Sequence, residues 1–134
     1  MNITIGIARF LLGLIFLTFG LNGFLHFLPS SPPSGTAGQF VGALFVSHYL
    51  VPIFLLQIIS AVLLLVNRYV PLALTLLAPV IVNILLIHIL MLPSGLALAL
   101  VVTVLWIVVF LSVRSAFVGL FQQRVVAAKG GTYA

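Results

Sequence analysis

Four long apolar runs separated by short polar links dominate the pattern of this 134-residue chain. The third run, residues 71–92, carries no charge, and its only polar side chains are those of Thr75, Asn83 and His88. A helix rises ~1.5 Å per residue and the apolar core of a bilayer is ~30 Å thick, so a run of this length can span it. The pattern predicts an all-α, polytopic membrane protein.

The links between the runs predict the architecture. We expect a single domain, residues 1–134, folded as an antiparallel bundle of four transmembrane helices. Residues 29–39 are rich in Pro, Ser and Gly and predict a loop, and residues 39–46 predict a short interfacial helix on the extracytoplasmic side. Ser47 is the expected cap of the second span. The spans are expected at about residues 3–28, 48–66, 71–92 and 95–117, and a polar tail at 122–134.

The composition excludes several classes of function. The sequence is 64% hydrophobic and 4% charged, whereas soluble domains are about a quarter charged. It contains no Asp, Glu or Cys, which excludes disulfides, thiolate metal sites, carboxylate cages for Ca²⁺ or Mg²⁺ and carboxylate acid–base pairs. We therefore expect no catalytic residue and no metal site. The five basic residues are scattered and form no patch for nucleic acid.

The basic residues predict the orientation in the bilayer. All five fall on one side of the four predicted spans, and the two opposite loops contain no Lys or Arg. The positive-inside rule then places both termini in the cytoplasm. Arg9 lies inside the first apolar run of a sequence that has no acid. We expect it to contact anionic lipid head groups, the alternative being an acidic residue of a partner subunit.

The polar residues inside the spans are the candidate ligand pocket. Counting from the middle of each span at ~1.5 Å per residue, Gln57, Asn83 and Trp106 lie near the bilayer centre. Asn22 and His88 lie ~10 Å further out, and His26 and His48 near the outer interface. The alternative is that these groups bond to one another and fix helix register, with the histidine tips in water. The candidate pocket residues are Asn22, His26, Gln57, Asn83, His88 and Trp106.

The spacing of these residues limits which of them can meet. Asn22 and His26 are four residues apart and share a helix face. Asn83 and His88 are five apart, ~140° around an ideal helix, so they share one groove only if Pro79 distorts the helix.

Three glycines form a stripe on the first span. Gly6, Gly13 and Gly20 recur every seven residues. Small residues at this spacing allow a neighbouring helix to approach closely, so we expect a helix-packing stripe that can also dock a partner.

The segments NRYVPLALTLLAPVIVNILLIHI (residues 67–89) and ARFLLGLIFLTFG (residues 8–20) resemble the DoxX family of small bacterial membrane proteins. The resemblance implies a four-helix protein of the bacterial inner membrane. It also implies a redox setting, because the family name comes from subunits similar to those of a thiosulfate:quinone oxidoreductase. Other members are thought to work beside oxidoreductases or thiol-stress systems.

Taken together, these features predict a non-catalytic accessory subunit in a redox or stress-related membrane complex, partnered by an oxidoreductase or by further copies of itself. One alternative is a redox-linked subunit that binds a quinone-like molecule in the extracytoplasmic half of the bundle. A second is an oligomeric small-molecule transporter.

Haem held by His26 and His88 is chemically allowed, but no attachment motif supports it. A three-histidine metal site would lack the usual supporting carboxylates.

Overall fold

The computed structural model describes residues 2–29 and 31–128, and these form helices joined by short loops. A short 3₁₀ turn, Pro93–Gly95, precedes the last α-helix, and a 3₁₀ helix, Arg114–Phe121, follows it. The α-helices are α1 (Ile3–Leu25), α2 (Gly35–Val46), α3 (Leu50–Leu65), α4 (Val70–Leu90) and α5 (Leu96–Val113).

Three helical segments are long and apolar enough to cross a membrane, namely Ile3–Leu25, Val70–Leu90 and Pro93–Phe121. α2 and α3 pass the same test only as a pair, and they meet at an angle of 85°. α3 alone has 16 residues, which at ~1.5 Å per residue fall short of a ~30 Å bilayer core. The number of candidate spans is therefore three, or four if the bent pair forms one span.

Four of the helices pack around a common core. α1 contacts α3 and α5, and α4 contacts the same two helices. Each of the four contributes side chains that are almost fully buried. The largest of these apolar side chains are Leu12, Phe16, Leu64, Leu74, Leu77 and Val109.

The outside of this core is also apolar. Large side chains such as Leu72, Val104 and Leu111 are at least half exposed. A water-soluble helix would place charged or polar residues on its outer face, whereas a helix that is apolar all round suits a membrane. The exterior is therefore consistent with a lipid environment.

The predicted loop over residues 29–39 is wrong from Gly35 onward, where α2 begins. Ser34 is extended, and Gly35 has a φ of 66°, which glycine adopts without strain. The Gly38 N–H then donates to the Ser34 carbonyl at 3.3 Å and closes the first turn. The glycines that indicated a loop are therefore part of the helix. α2 ends at Val46, as predicted.

The predicted start of the second span is also wrong. Ser47 is the C-cap of α2, and its N–H donates to the Ala43 carbonyl at 3.1 Å. Its hydroxyl oxygen accepts from the Tyr49 N–H at 3.4 Å, which lies before the first residue of α3, so α3 has no side-chain cap. His48 follows with a left-handed backbone, φ 60°, and α3 begins at Leu50. The change of direction between α2 and α3 thus lies within three residues, 47–49.

The remaining boundaries differ from the prediction by a few residues. α1 ends at Leu25 instead of residue 28, because His26 adopts a left-handed conformation, φ 51°. α5 ends at Val113, and the chain continues as a 3₁₀ helix to Phe121. Of the predicted tail, residues 122–128 lie beyond these helices. Lys129 and the rest of the tail lie outside the described residues.

Candidate functional site: two adjoining cavities

Two apolar cavities adjoin at α3. The first, cavity A, has a volume of about 410 Å³ and lies between α1, α3, α4 and α5. The second, cavity B, has a volume of about 430 Å³ and lies between α2, α3 and α4. Volumes of this order suit small-molecule sites. Phe54, Gln57 and Ile84 line both cavities and form the wall between them.

Gln57 is the most unusual residue of this wall. Its side chain is only 7% exposed. It makes no side-chain hydrogen bond within the part of the chain that the structure describes. Among the described residues, the fully buried side-chain atoms without a partner are Arg9 Nε and Ser60 Oγ, so the Gln57 amide is not sealed inside the core. An amide in this position can be satisfied by a group that enters either cavity.

Asn22 lines cavity A and also shapes the chain that follows α1. Its Oδ1 accepts a hydrogen bond from the Leu28 N–H at 2.8 Å, while the His26 N–H donates to the Asn22 carbonyl at 2.9 Å. Because a backbone N–H must donate, the bonded side-chain atom is the oxygen, and the amide NH₂ of Asn22 is left as a donor. Asn22 therefore combines a structural hydrogen bond with an amide NH₂ that has no partner among residues 2–29 and 31–128.

His88 is the only histidine of the described residues that lines either cavity, and it lies in cavity A. Its Nδ1 lies 2.9 Å from the carbonyl oxygen of Leu92. The ring rests directly on Gly95, where a Cβ atom would collide with the imidazole. The turn between α4 and α5 thus holds the ring in place by one hydrogen bond and by close packing.

Asn83 belongs to cavity B and not to cavity A. Its Nδ2 donates to the Pro79 carbonyl at 2.8 Å, one turn earlier on α4. Asn83 and His88 line different cavities, as expected for residues five apart, whose side chains point ~140° apart around the helix axis. The two residues do not share one groove.

Trp106, His26 and His48 line neither cavity. The Trp106 Nε1–H donates to the Leu74 carbonyl at 3.0 Å, and its ring stacks on Phe110 with centroids 5.1 Å apart. This partner satisfies the indole inside the core, so the structure removes Trp106 from the expected pocket. His26 and His48 are both exposed.

The three histidines therefore do not converge. The His26 ring lies 6.0 Å from that of Phe45, away from His88 in cavity A. Within residues 2–29 and 31–128, no group of three metal-ligating side chains is close enough to hold an ion.

Two glycines of the predicted stripe contact α3. A Cβ at Gly13 would lie 2.9 Å from the Leu65 side chain, and one at Gly20 would lie 2.8 Å from that of Ile58. Gly6 has open space around it. α3 therefore occupies the Gly13 and Gly20 positions within the same chain, which leaves neither free to dock a partner.

Arg9 contacts protein where a lipid or partner contact was expected. Its Nη1 donates to the Leu64 carbonyl and lies 3.5 Å from the Leu65 carbonyl, while its Nε is buried without a partner among the described residues. The last carbonyls of a helix lack backbone partners and carry partial negative charge. The guanidinium thus satisfies the C-terminal end of α3.

Sequence reasoning missed several apolar residues of the site. Phe54 and Ile84 form the wall between the cavities with Gln57, and Gly95 seats the His88 ring. Phe54 and Ile84 look like any other apolar residues of a span, and Gly95 reads as part of a turn. Only Gly95 gave a signal, because glycine has no side chain and lets a neighbouring group approach the backbone closely.

Comparison of the chain with protein-family models, curated proteins and solved structures finds no match. The assignment of function therefore depends on the geometry of the two cavities and on the sequence. Membership of the DoxX family stays a prediction.

Proposed function

We propose that this chain is a DoxX-like protein of the bacterial inner membrane that binds a small amphipathic molecule, such as a quinone, between its helices. In this proposal α1, α4 and α5 are full spans, the 3₁₀ helix after α5 lies at the cytoplasmic surface, and α3 is the fourth span although it is shorter than the bilayer core. α2 lies along the extracytoplasmic surface. The 85° angle between α2 and α3 supports this arrangement, since a helix along the membrane plane meets a span at about a right angle.

The positions of the basic residues support an orientation in the bilayer with both termini in the cytoplasm. Arg9, near the start of α1, bonds to the end of α3, and Arg68 follows that end directly. Arg114 begins the 3₁₀ segment after α5. Cavity A lies toward the opposite ends of the helices, near the end of α1 and the start of α5. By the positive-inside rule this is the extracytoplasmic half.

The observation that carries the binding proposal is Gln57. Its amide has no hydrogen-bond partner among the described residues and is not sealed in the core, and it lies at the wall of two apolar cavities, where a bound molecule can supply that partner. The NH₂ group of Asn22 and the His88 ring add polar groups to cavity A. An apolar cavity with a few polar groups orients an amphipathic molecule, which suits a ring with hydrogen-bonding substituents and an apolar tail.

The proposed role is that of an accessory subunit. The sequence has no carboxylate or thiol to carry acid–base or covalent catalysis. A bound redox-active molecule would be presented to an oxidoreductase partner in the same membrane. The partner surface is not the Gly13 and Gly20 stripe, because α3 already covers it.

Native mass spectrometry of the chain purified in lipid nanodiscs tests the proposal. We expect a retained small-molecule mass on the wild-type protein and its loss, by about tenfold in occupancy at matched ligand, in Gln57→Leu. Thr75→Val is the matched control, because Thr75 is also a polar residue of a span but lines neither cavity.

The thermal stability of the same variants separates binding from helix register. Without ligand, Gln57→Leu should be at least as stable as the wild type, because it replaces an amide that has no hydrogen-bond partner among the described residues by an apolar side chain of similar size. Retention of ligand by Gln57→Leu, or wild-type protein that carries only bulk lipid, would reject the proposed function. A large loss of stability would show that Gln57 fixes helix register.

A further inference from the structure

The hydrogen bond of His88 determines which kind of group its ring can receive. The Leu92 carbonyl oxygen, 2.9 Å from Nδ1, can only accept a hydrogen bond, so Nδ1 carries the proton. In the neutral imidazole the second nitrogen, Nε2, is then an acceptor. Within the described part of the chain, Nε2 has no hydrogen-bond partner.

The loop between α4 and α5 holds this tautomer. The Met91 and Leu92 N–H groups both donate to the Ile87 carbonyl at 2.9 Å, which folds the chain back after α4. The Leu92 carbonyl also accepts from the Gly95 N–H at 3.3 Å. Gly95 lies against the ring, so the imidazole has no room to turn toward that side. His88 thus lines cavity A with a fixed ring, and its acceptor nitrogen has no partner among the described residues.

We infer that the molecule bound in cavity A carries a hydroxyl group that donates to His88 Nε2. This inference depends on the proposed function and makes it more specific, because it distinguishes a quinol from the corresponding quinone. A quinol has O–H donors, whereas a quinone carbonyl has only lone pairs. The amide NH₂ of Asn22 and the amide of Gln57 can serve a second oxygen of the same molecule.

A quinone in the same position would place an acceptor against an acceptor. The Asn22 and Gln57 amides could still donate to a quinone carbonyl, but His88 Nε2 would be left without a donor. A site built to receive a hydroxyl discriminates strongly against the analogue that lacks it, because a buried polar group is left unpaired. We therefore expect cavity A to prefer the reduced form.

The test is a pair of equilibrium titrations on the wild-type protein in nanodiscs, one with a short-tailed benzoquinol under anaerobic conditions and one with its benzoquinone. We expect the quinol to bind about tenfold more tightly or better, equivalent to ~1.4 kcal/mol. His88→Phe keeps a flat ring but has no acceptor, so it should remove this preference. Because the ratio is measured on the wild type, the test stands even if His88→Phe does not fold.

Each outcome bears on a different part of the proposal. Equal binding of both forms, or tighter binding of the quinone, would overturn the hydroxyl inference and leave the ligand-binding function intact. Binding of neither form would reject both. If a long-chain alcohol of matched tail length displaces the quinol, the hydroxyl chemistry holds and a hydroxyl-bearing lipid becomes the natural ligand. Failure of the alcohol to compete would restrict the hydroxyl ligand to quinols.

Discussion

At the scale of single residues, the polar side chains of this protein divide into satisfied and unsatisfied groups. Trp106 and Asn83 bond to backbone carbonyls of α4, at 3.0 and 2.8 Å. Gln57 has no such partner in the described chain, and His88 uses only one of its ring nitrogens. Polar groups that line a cavity between helices without a partner mark the place where a ligand can contribute a hydrogen bond.

Gly95 gives a residue-scale prediction about the His88 ring. A Cβ at this position would collide with the imidazole, so Gly95→Ala should displace the ring and weaken its bond to Leu92. We expect quinol affinity to fall by about tenfold, measured by the same titration. Gly42→Ala is the control, because its Cβ would meet nothing within 4 Å. Unchanged affinity in Gly95→Ala would show that the ring position does not matter for binding.

At the scale of elements, contacts between α1 and α3 organise the bundle. Gly13 and Gly20 allow the two helices to approach closely, and Arg9 at one end bonds to the last carbonyls of α3. This hydrogen bond joins residues that are 55 positions apart in the sequence. Because α3 is short, its position depends on such contacts with α1 more than on its own apolar length.

The glycine stripe gives an element-scale prediction. Gly13→Leu should destabilise the bundle by about 1–3 kcal/mol, because the added side chain overlaps that of Leu65. Gly6→Leu should have little effect, because Gly6 has no neighbour within 4 Å of an added Cβ. The stability of both variants can be measured by unfolding them with increasing amounts of a denaturing detergent added to protein in a mild one. Equal effects of the two substitutions would indicate that the stripe contacts a second copy or a partner instead of α3.

At the scale of the whole molecule, the two cavities lie at one end of the helices and the Arg9 contact at the other. Cavity B adjoins α2, which in the proposed arrangement lies along the outer surface. An apolar molecule in the outer leaflet could then reach Gln57 between α2 and α4. The orientation of the bundle in the bilayer therefore determines from which leaflet a molecule reaches the two cavities.

Cysteine labelling tests this polarity. The sequence contains no cysteine, so a single introduced thiol is the only reactive one. With an impermeant maleimide added to spheroplasts, Ser34→Cys before α2 should label and Ser115→Cys after α5 should not; both serines are exposed. Permeabilised cells should label both. The reverse pattern would contradict the proposed orientation, and labelling of both in intact spheroplasts would contradict an even number of spans.

Much of the helical content could be predicted from the sequence, and the helix ends could not. The pattern of residues 71–92 predicts a helix of membrane length, close to the observed Val70–Leu90. The ends depend on single residues, such as the left-handed His26 and His48, which carry no strong signal. Ser47 was misread because a serine beside a loop can end one helix as readily as it caps the next.

The sequence by itself determined that the chain folds into apolar helices long enough to cross a membrane. This follows from local properties, since a helix satisfies its own backbone hydrogen bonds and its length can be counted. Only the tertiary structure decided which polar residues share a cavity. α5 is apolar on every side, so no periodic pattern shows which face is buried. The partners of Arg9 and Trp106 lie 55 and 32 residues away, beyond the reach of any local pattern.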